Sequence, residues 1–210
     1  WSIETALRSQ LFEHVIVSTD DHEIATIAAQ AGAETPFFRP AELSDDFAST
    51  TAVIQHALKE LGMSAENQDE VLCLYPTAVL VTPEDIVQAH RLLDNSGSFV
   101  TSIVRYAHPI QRSLTHNSVG LLYPLSPSDL SERTQDLSPH WHDAGQFYWG
   151  SARSWFSVMS PLVLSYGYEL PNHRVQDIDT EEDWQLAEIK HCYIQKVMHP
   201  EHPSPGISQQ

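Results

Sequence analysis

Positive charge is scarce in this chain. Its 210 residues carry 11 Lys and Arg against 28 Asp and Glu, a formal net charge of −17 at pH 7. Proteins that grip phosphate backbones cluster cations on one face, so no nucleic-acid partner is expected. An anionic small molecule would need local help from an arginine or a divalent cation. Long apolar runs are also missing. None approaches the ~20 residues that cross a bilayer, so no membrane partner is expected. Cysteine is down to Cys73 and Cys192, one in a strand-like and one in a helix-like setting. They read as buried free thiols suited to a reducing compartment, which points to the cytoplasm. There is no CxxC, no Walker loop, no GxGxxG, no Ser/His/Asp hydrolase pattern and no internal repeat.

What is present alternates. "HVIVSTD" (14–20), "EVLCLYPT" (70–77) and "FVTSIVRY" (99–106) are short apolar, β-branched runs that read as buried strands. Between them lie helical patterns at 3–12, 21–31, 49–61 and from Thr82 onward. Thr50 or Thr51 is a candidate cap, and Thr82-Pro83-Glu84 combines a cap, a first-turn proline and a first-turn acid. Strand and helix in alternation predict an α/β fold, a doubly wound and mostly parallel sheet. The rhythm breaks after Tyr106. Residues 107–150, rich in Pro, His and aromatics, read as a small lobe inserted into a single domain spanning 1–198. Helix returns near 151–158, a weak strand at 162–170, and a last helix at 181–198 with Leu186, Ile189, Tyr193 and Val197 expected to face inward. Residues 199–210 read as a disordered tail.

The densest chemistry is near the end, in "VQDIDTEEDW" (175–184). As a strand, this stretch would put Asp177 and Asp179 on one face and Ile178 in the core. Two carboxylates roughly 7 Å apart repel unless a cation or water lies between them. Mg²⁺ takes oxygen ligands of this kind; a solvated strand end is the other reading. Thr180 and Asp183 resemble a capping box, and Glu181, Glu182 and Asp183 suit the positive end of a helix. "YPTAVLV" (75–81) leaves a strand for a helix cap, where nucleotides bind in doubly wound folds. "RTQDLSPHWHDAGQFYWG" (133–150) gathers groups able to hold a carboxylate and sugar hydroxyls. His140 and His142 lack further ligands at zinc spacing.

Taken in order, "FEHVIVSTDDHEIATIAAQAGAETPFFRPAELSDD", "YPTA", "HPIQRSL", "RTQDLSPHWHDAGQFYW" and "RVQDIDTEEDW" resemble CMP-sugar synthetases for nine-carbon acidic sugars. "HDAGQFYW" and "HPIQR" resemble the pseudaminic acid branch. The resemblance spans roughly residues 1 to 195. It implies a nucleotide-diphospho-sugar transferase-like fold and a cytidylyltransferase that joins CMP from CTP to pseudaminic acid or a sialic acid relative, releasing pyrophosphate. It implies that Asp177 and Asp179 bind Mg²⁺ and carry the catalysis. It places Arg39, Pro76 and Thr77 on the cytidine side. Arg133, Gln135, His142, Asp143, Gln146 and Tyr148 fall on the sugar side, with Arg133 on the sugar carboxylate and Gln111 and Arg112 close by. It also implies a homodimer formed through 107–150.

Two departures stand out. Ala78-Val79 follow Pro76-Thr77, where the family has Ser or Ala and then Pro. The family also opens with a strand and a glycine-rich, Lys/Arg-rich loop that cradles the triphosphate, whereas this sequence begins at Trp1, in the helix after it. The expectation is that residues 1–210 lack the natural N-terminus and by themselves bind CTP poorly. Two alternatives stay open: a glycosyltransferase whose Asp-x-Asp binds a sugar nucleotide, and a truncated, non-catalytic sugar-binding dimer.

Overall fold

In the computed structural model, residues 1–198 are described, except Asn95 and Met159; the tail expected at 199–210 lies outside the described residues. Six helices and six strands follow in the order α1 (Ser2–Ser9), α2 (His22–Gln30), α3 (Thr50–Glu60), β1 (Glu70–Leu74), α4 (Pro83–His90), β2 (Phe99–Arg105), β3 (Leu114–His116), β4 (Leu122–Pro124), β5 (Trp141–Ser151), α5 (Ala152–Ser157), β6 (Ser165–Glu169) and α6 (Glu181–Met198).

The main sheet has the order β1-β5-β2-β6. β5 runs antiparallel to both of its neighbours, and β2 and β6 are parallel. Three of the four strands therefore share one direction, the α/β arrangement expected, with β5 as the reversed member. Both faces are covered. Phe147 and Trp149 join Ile86 and Ala89 of α4 and Val100 and Val104 of β2 on one side. Tyr148, between them, points the other way, with Cys73, Phe99, Leu58 of α3 and Trp155 of α5. This strict alternation on β5 is how one strand feeds two cores. Burial pushes the Cys73 thiol up to about 12.

Several expectations need correcting. "HVIVSTD" makes only an isolated parallel bridge, Ile16 to Glu34; its remaining ladder bonds go to the extended 33–39 segment. The stretch expected as an inserted lobe divides. Its first part carries short 3₁₀ turns and the β3–β4 hairpin. Residues 141–151 are instead the longest strand, in the interior of the sheet. Ser49, not Thr50 or Thr51, caps α3, and the Thr50 hydroxyl bonds Tyr75 instead. Cys192 is exposed. No described helix is long and apolar enough to cross a membrane.

The clearest reversal is α6. Leu186, Ile189, Tyr193 and Val197 are 41%, 65%, 56% and 59% exposed. The helix turns Asp183, Ala187, Lys190 and Ile194 toward the body instead. Hydrophobic periodicity names an apolar face but not what lies opposite it. Here polar pins decide the helix's rotation.

A different polar tie, this one buried, fastens the turn before the Asp177 segment to α4. Arg174 forms a bidentate pair with Asp85, whose Oδ1 lies 2.9 Å from Nη2, and Tyr168 donates to the same Oδ1 at 3.2 Å. Asp85 also closes the capping box of α4 with Thr82. Burial alone would raise the Asp85 carboxyl, but the bonds from Arg174 and Thr82 outweigh it and hold it below the usual range. The side chains of Arg174 and Asp85 are only 18% and 4% exposed. Removing one partner strands the other charge, so Arg174→Met is expected to cost about 3 kcal/mol of unfolding free energy in urea titrations; a change below about 1 kcal/mol would assign the pair no structural weight. A carboxyl depressed in the folded state stabilises above its unfolded pKa. That contribution is lost as pH falls through the folded value, so the difference between wild type and Arg174→Met narrows on acidification.

Candidate active site

The site grows out of a bulge in β5. Thr101 pairs with Tyr148, but the next pairing, Ile103 with Asp143, leaves Ala144 to Phe147 opposite Ser102 alone. Ser102 fills the gap by accepting the backbone N–H groups of Gln146 and Phe147 at 3.3 and 3.0 Å. Gly145 takes the left-handed turn this requires, with φ 61°. Bulges of this kind re-aim side chains beside functional sites.

Two results follow from the bulge. First, it folds Asp143 back on itself. One carboxylate oxygen accepts the Gly145 N–H at 3.0 Å, and the other accepts the Tyr148 hydroxyl at 2.5 Å. Burial, then the Asp143 carboxylate, pushes the Tyr148 phenol up. Second, it opens a floor for Asp177: a Cβ on Gly145 would lie 3.6 Å from Asp177 Oδ1.

Asp177 and Asp179 do not lie in a strand. Asn172–Arg174 form a 3₁₀ turn, Val175 is extended, and residues 175–178 have no regular secondary structure. Asp177 and Asp179 are exposed, but Ile178 is only half-buried and does not join the core as expected; Val175 is the residue of this segment that packs against it. Side chains replace the missing ladder. The Gln146 amide, fully buried, donates to the Ala144 and Gln176 carbonyls at 2.9 and 3.3 Å. Lys190 of α6 donates to the Val175 carbonyl at 2.5 Å and to Gln176 Oε1 at 2.9 Å. The Gln176 amide reaches Asp183 at 3.0 Å. Thr180 and Asp183 form the capping box expected, with Thr180 Oγ1 2.7 Å from Asp183 Oδ2 and the Asp183 N–H returning at 3.3 Å.

Electrostatics mark Asp177. Burial, and then the charges of Asp179, Asp143 and Asp183, raise its carboxyl above the ordinary range. Like charges gathered in this way favour a proton or a cation. Among the described residues no group of three or more His, Cys, Asp and Glu has metal-holding geometry. A cavity of about 260 Å³ opens beside Asp177, lined by Val104, His142, Asp143, Asn172, Gln176 and Lys190 among others. A more open depression of about 570 Å³ runs along α2 past His22, Thr26 and Phe38. It contains no carboxylate, lysine or arginine, so the smaller cavity is the chemical one.

The other candidates scatter. His142 lines the cavity, but Gln146 and Tyr148 are bonded behind its wall. Arg39 sits 3.6 Å from Asp20 and donates to Ser44. Pro76 accepts from Ser2 through its carbonyl, and the Thr77 carbonyl accepts from Val79. Tyr75, just before them, meets Tyr148 edge-on, which links this turn to Asp143. Gln111 donates to the Ser138 carbonyl, and Arg112 to the carbonyls of Leu130 and Glu132, so both stitch the hairpin segment together. Arg133 lies on the surface, paired with Asp136 at 2.7 Å, and Gln135 is exposed in the same turn. Sequence reasoning missed Lys190. The only signal for it was a mid-helix lysine in a helix whose apolar row was assumed to face inward.

Comparison with known proteins bears on the family and the fold. A family model described as cytidylyltransferase matches residues 1–153. The chain is 37% identical to the pseudaminic acid cytidylyltransferase of Campylobacter jejuni over 203 residues, 95% of this chain and 85% of that protein. It is 30% identical to the CMP-N,N'-diacetyllegionaminic acid synthase of Legionella pneumophila, over 89% of this chain and 82% of that protein. A solved structure of CMP:2-keto-3-deoxy-manno-octonic acid synthetase complexed with CTP superposes with a TM-score of 0.61 at 14% identity, covering 92% of this chain and 86% of the other. That likeness establishes the fold.

A carboxyl raised in the folded state detracts from stability at neutral pH, and the deficit fades as pH falls through its folded pKa. Asp177→Asn is therefore expected to melt at or above the wild-type temperature at pH 7, with the gap closing toward acid. Calorimetric melts that show Asp177→Asn clearly less stable at pH 7 would remove the repulsion argument.

Proposed function

Since the chain belongs to the cytidylyltransferase family, a family of nucleotidyltransferases, we propose that it transfers CMP from CTP to the anomeric hydroxyl of a nine-carbon acidic sugar, pseudaminic acid or a close relative. The hydroxyl oxygen bonds to the α-phosphorus, the bond to the β-phosphate oxygen breaks, pyrophosphate leaves, and the hydroxyl proton passes to solvent. The observation that carries this reading is Asp177, in the wall of a polar cavity with Asp143 and His142, its carboxyl raised by burial and by the charge of neighbouring Asp179.

A Mg²⁺ ion fits this donor set. It is content with one or two carboxylates, completing its shell with water and phosphate oxygens, and it would relieve the repulsion that raises Asp177. Held by Asp177 and Asp179, it would supply charge neutralisation to the phosphates and the leaving group. The chain's own residues do the positioning. Asp143, fixed by Tyr148 and Gly145, and His142 face the cavity and accept or donate to sugar hydroxyls. Gln146 and Tyr148 serve the sugar from behind, through Gln176 and Asp143. The Pro76-Thr77 turn and Arg39 take the cytidine side. We place the enzyme in the cytoplasm, where CTP is made.

We propose a homodimer formed through the hairpin segment. Leu114, Val119, Leu121, Leu122 and Leu125 are 58%, 84%, 60%, 59% and 63% exposed there. Five exposed apolar side chains on one short hairpin segment suit a second copy of the chain.

Incubation of the full-length protein with CTP, Mg²⁺ and pseudaminic acid is expected to yield pyrophosphate and a CMP-sugar of matching mass. Asp177→Asn is expected to lower turnover by about 100-fold or more. Cleavage or transfer from a sugar nucleotide with no synthesis from CTP would put the chain among the glycosyltransferases. Sedimentation of the full-length protein as a monomer at micromolar concentration would remove the dimer.

A further inference from the structure

The cavity beside Asp177 presents a charge problem. Its wall carries two carboxylates, Asp143 and Asp177, and both proposed substrates are anions. The arginine that resemblance assigned to the sugar carboxylate, Arg133, is paired on the surface and is not in the wall. Among the described residues, Lys190 is the one lysine or arginine that lines it.

Lys190 is placed against the interest of simple packing. α6 leaves Ile189, Tyr193 and Val197 in solvent and turns an ammonium inward, where burial pushes its pKa down. Desolvating a charge costs stability unless something answers it. What answers it within the chain is neutral: the Val175 carbonyl and the Gln176 side-chain carbonyl. No carboxylate among the described residues forms an ion pair with it. An ammonium has three donors, and two are used. The charge itself has no carboxylate in direct contact, at the wall of a cavity it shares with Asp143 and Asp177.

We propose that Lys190 is the cationic subsite of this cavity, receiving a small anionic oxygen group of a substrate, carboxylate or phosphate, while its other two N–H groups pin the 175–176 backbone. This rests on the cytidylyltransferase reading above. The pinning makes Lys190 a neighbour of the Asp177 loop, and that charge makes it a substrate contact.

The test is calorimetric binding to the full-length protein in two arms, pseudaminic acid alone and CTP with Mg²⁺ alone, for wild type, Lys190→Gln and Lys190→Arg. Lys190→Gln keeps an amide donor for the Val175 carbonyl but has no charge. It is expected to lose about ten-fold or more in affinity for one ligand, with the other within about twofold and the melting temperature little changed. A loss confined to the sugar acid identifies its carboxylate; one confined to CTP identifies a phosphate. Lys190→Arg is expected to recover most of the affinity, and the affected affinity in wild type is expected to fall more steeply with salt than in Lys190→Gln. Unchanged binding of both ligands by Lys190→Gln overturns the subsite and leaves the enzyme reading intact. Equal losses in both arms with a lowered melting temperature report a collapsed wall and also overturn it. If wild type binds neither ligand, the reading of function falls and the subsite falls with it.

Discussion

The negative charge of Asp143, Asp179 and Asp183 around Asp177 is the constraint around which this end of the molecule is organised. A chain at −17 has gathered four acids at one corner, and such a corner holds its shape only if each carboxylate or its backbone is tied separately. Asp143 is tied by the β5 bulge, Asp183 by the start of α6, and the Asp177 segment by Gln146, Gln176 and Lys190. The bulge in turn exists because Ser102 can satisfy two N–H groups and Gly145 can take a positive φ.

Seen this way, the reversed strand β5 links fold and site. Its far half, Phe147 to Trp149, supplies apolar side chains to both faces of the sheet, and its near half carries the bulge and Asp143. Anchoring of the first by two cores is what allows the second to depart from regular pairing. The Arg174–Asp85 pair does the same for the Asp177 segment, fastening its start to the cap of α4.

Much of this was legible from sequence. Thr82 and Thr180 cap their helices as local chemistry dictates. What could not be read was anything set by tertiary partners. Periodicity shows that Leu186, Ile189, Tyr193 and Val197 share a face, but the bonds of Lys190 and Asp183 decide where that face points. The polar stretch at 133–148 looked uniform in sequence. The bulge then sent His142 and Asp143 to the cavity and the side chains of Gln146 and Tyr148 behind it, while Arg133 stayed in a surface turn. A count of polar residues carries no information about such a register shift.

The proposed reaction turns on one divalent cation held by Asp177, in the wall of the Asp143 cavity, and by its neighbour Asp179. Crystals of the full-length protein grown with CTP and Mn²⁺ in place of Mg²⁺ test it most directly through the manganese anomalous signal. A single peak within coordination distance of both Asp177 and Asp179 is the result expected. A fully occupied peak held elsewhere, with neither aspartate as a ligand, would contradict the account.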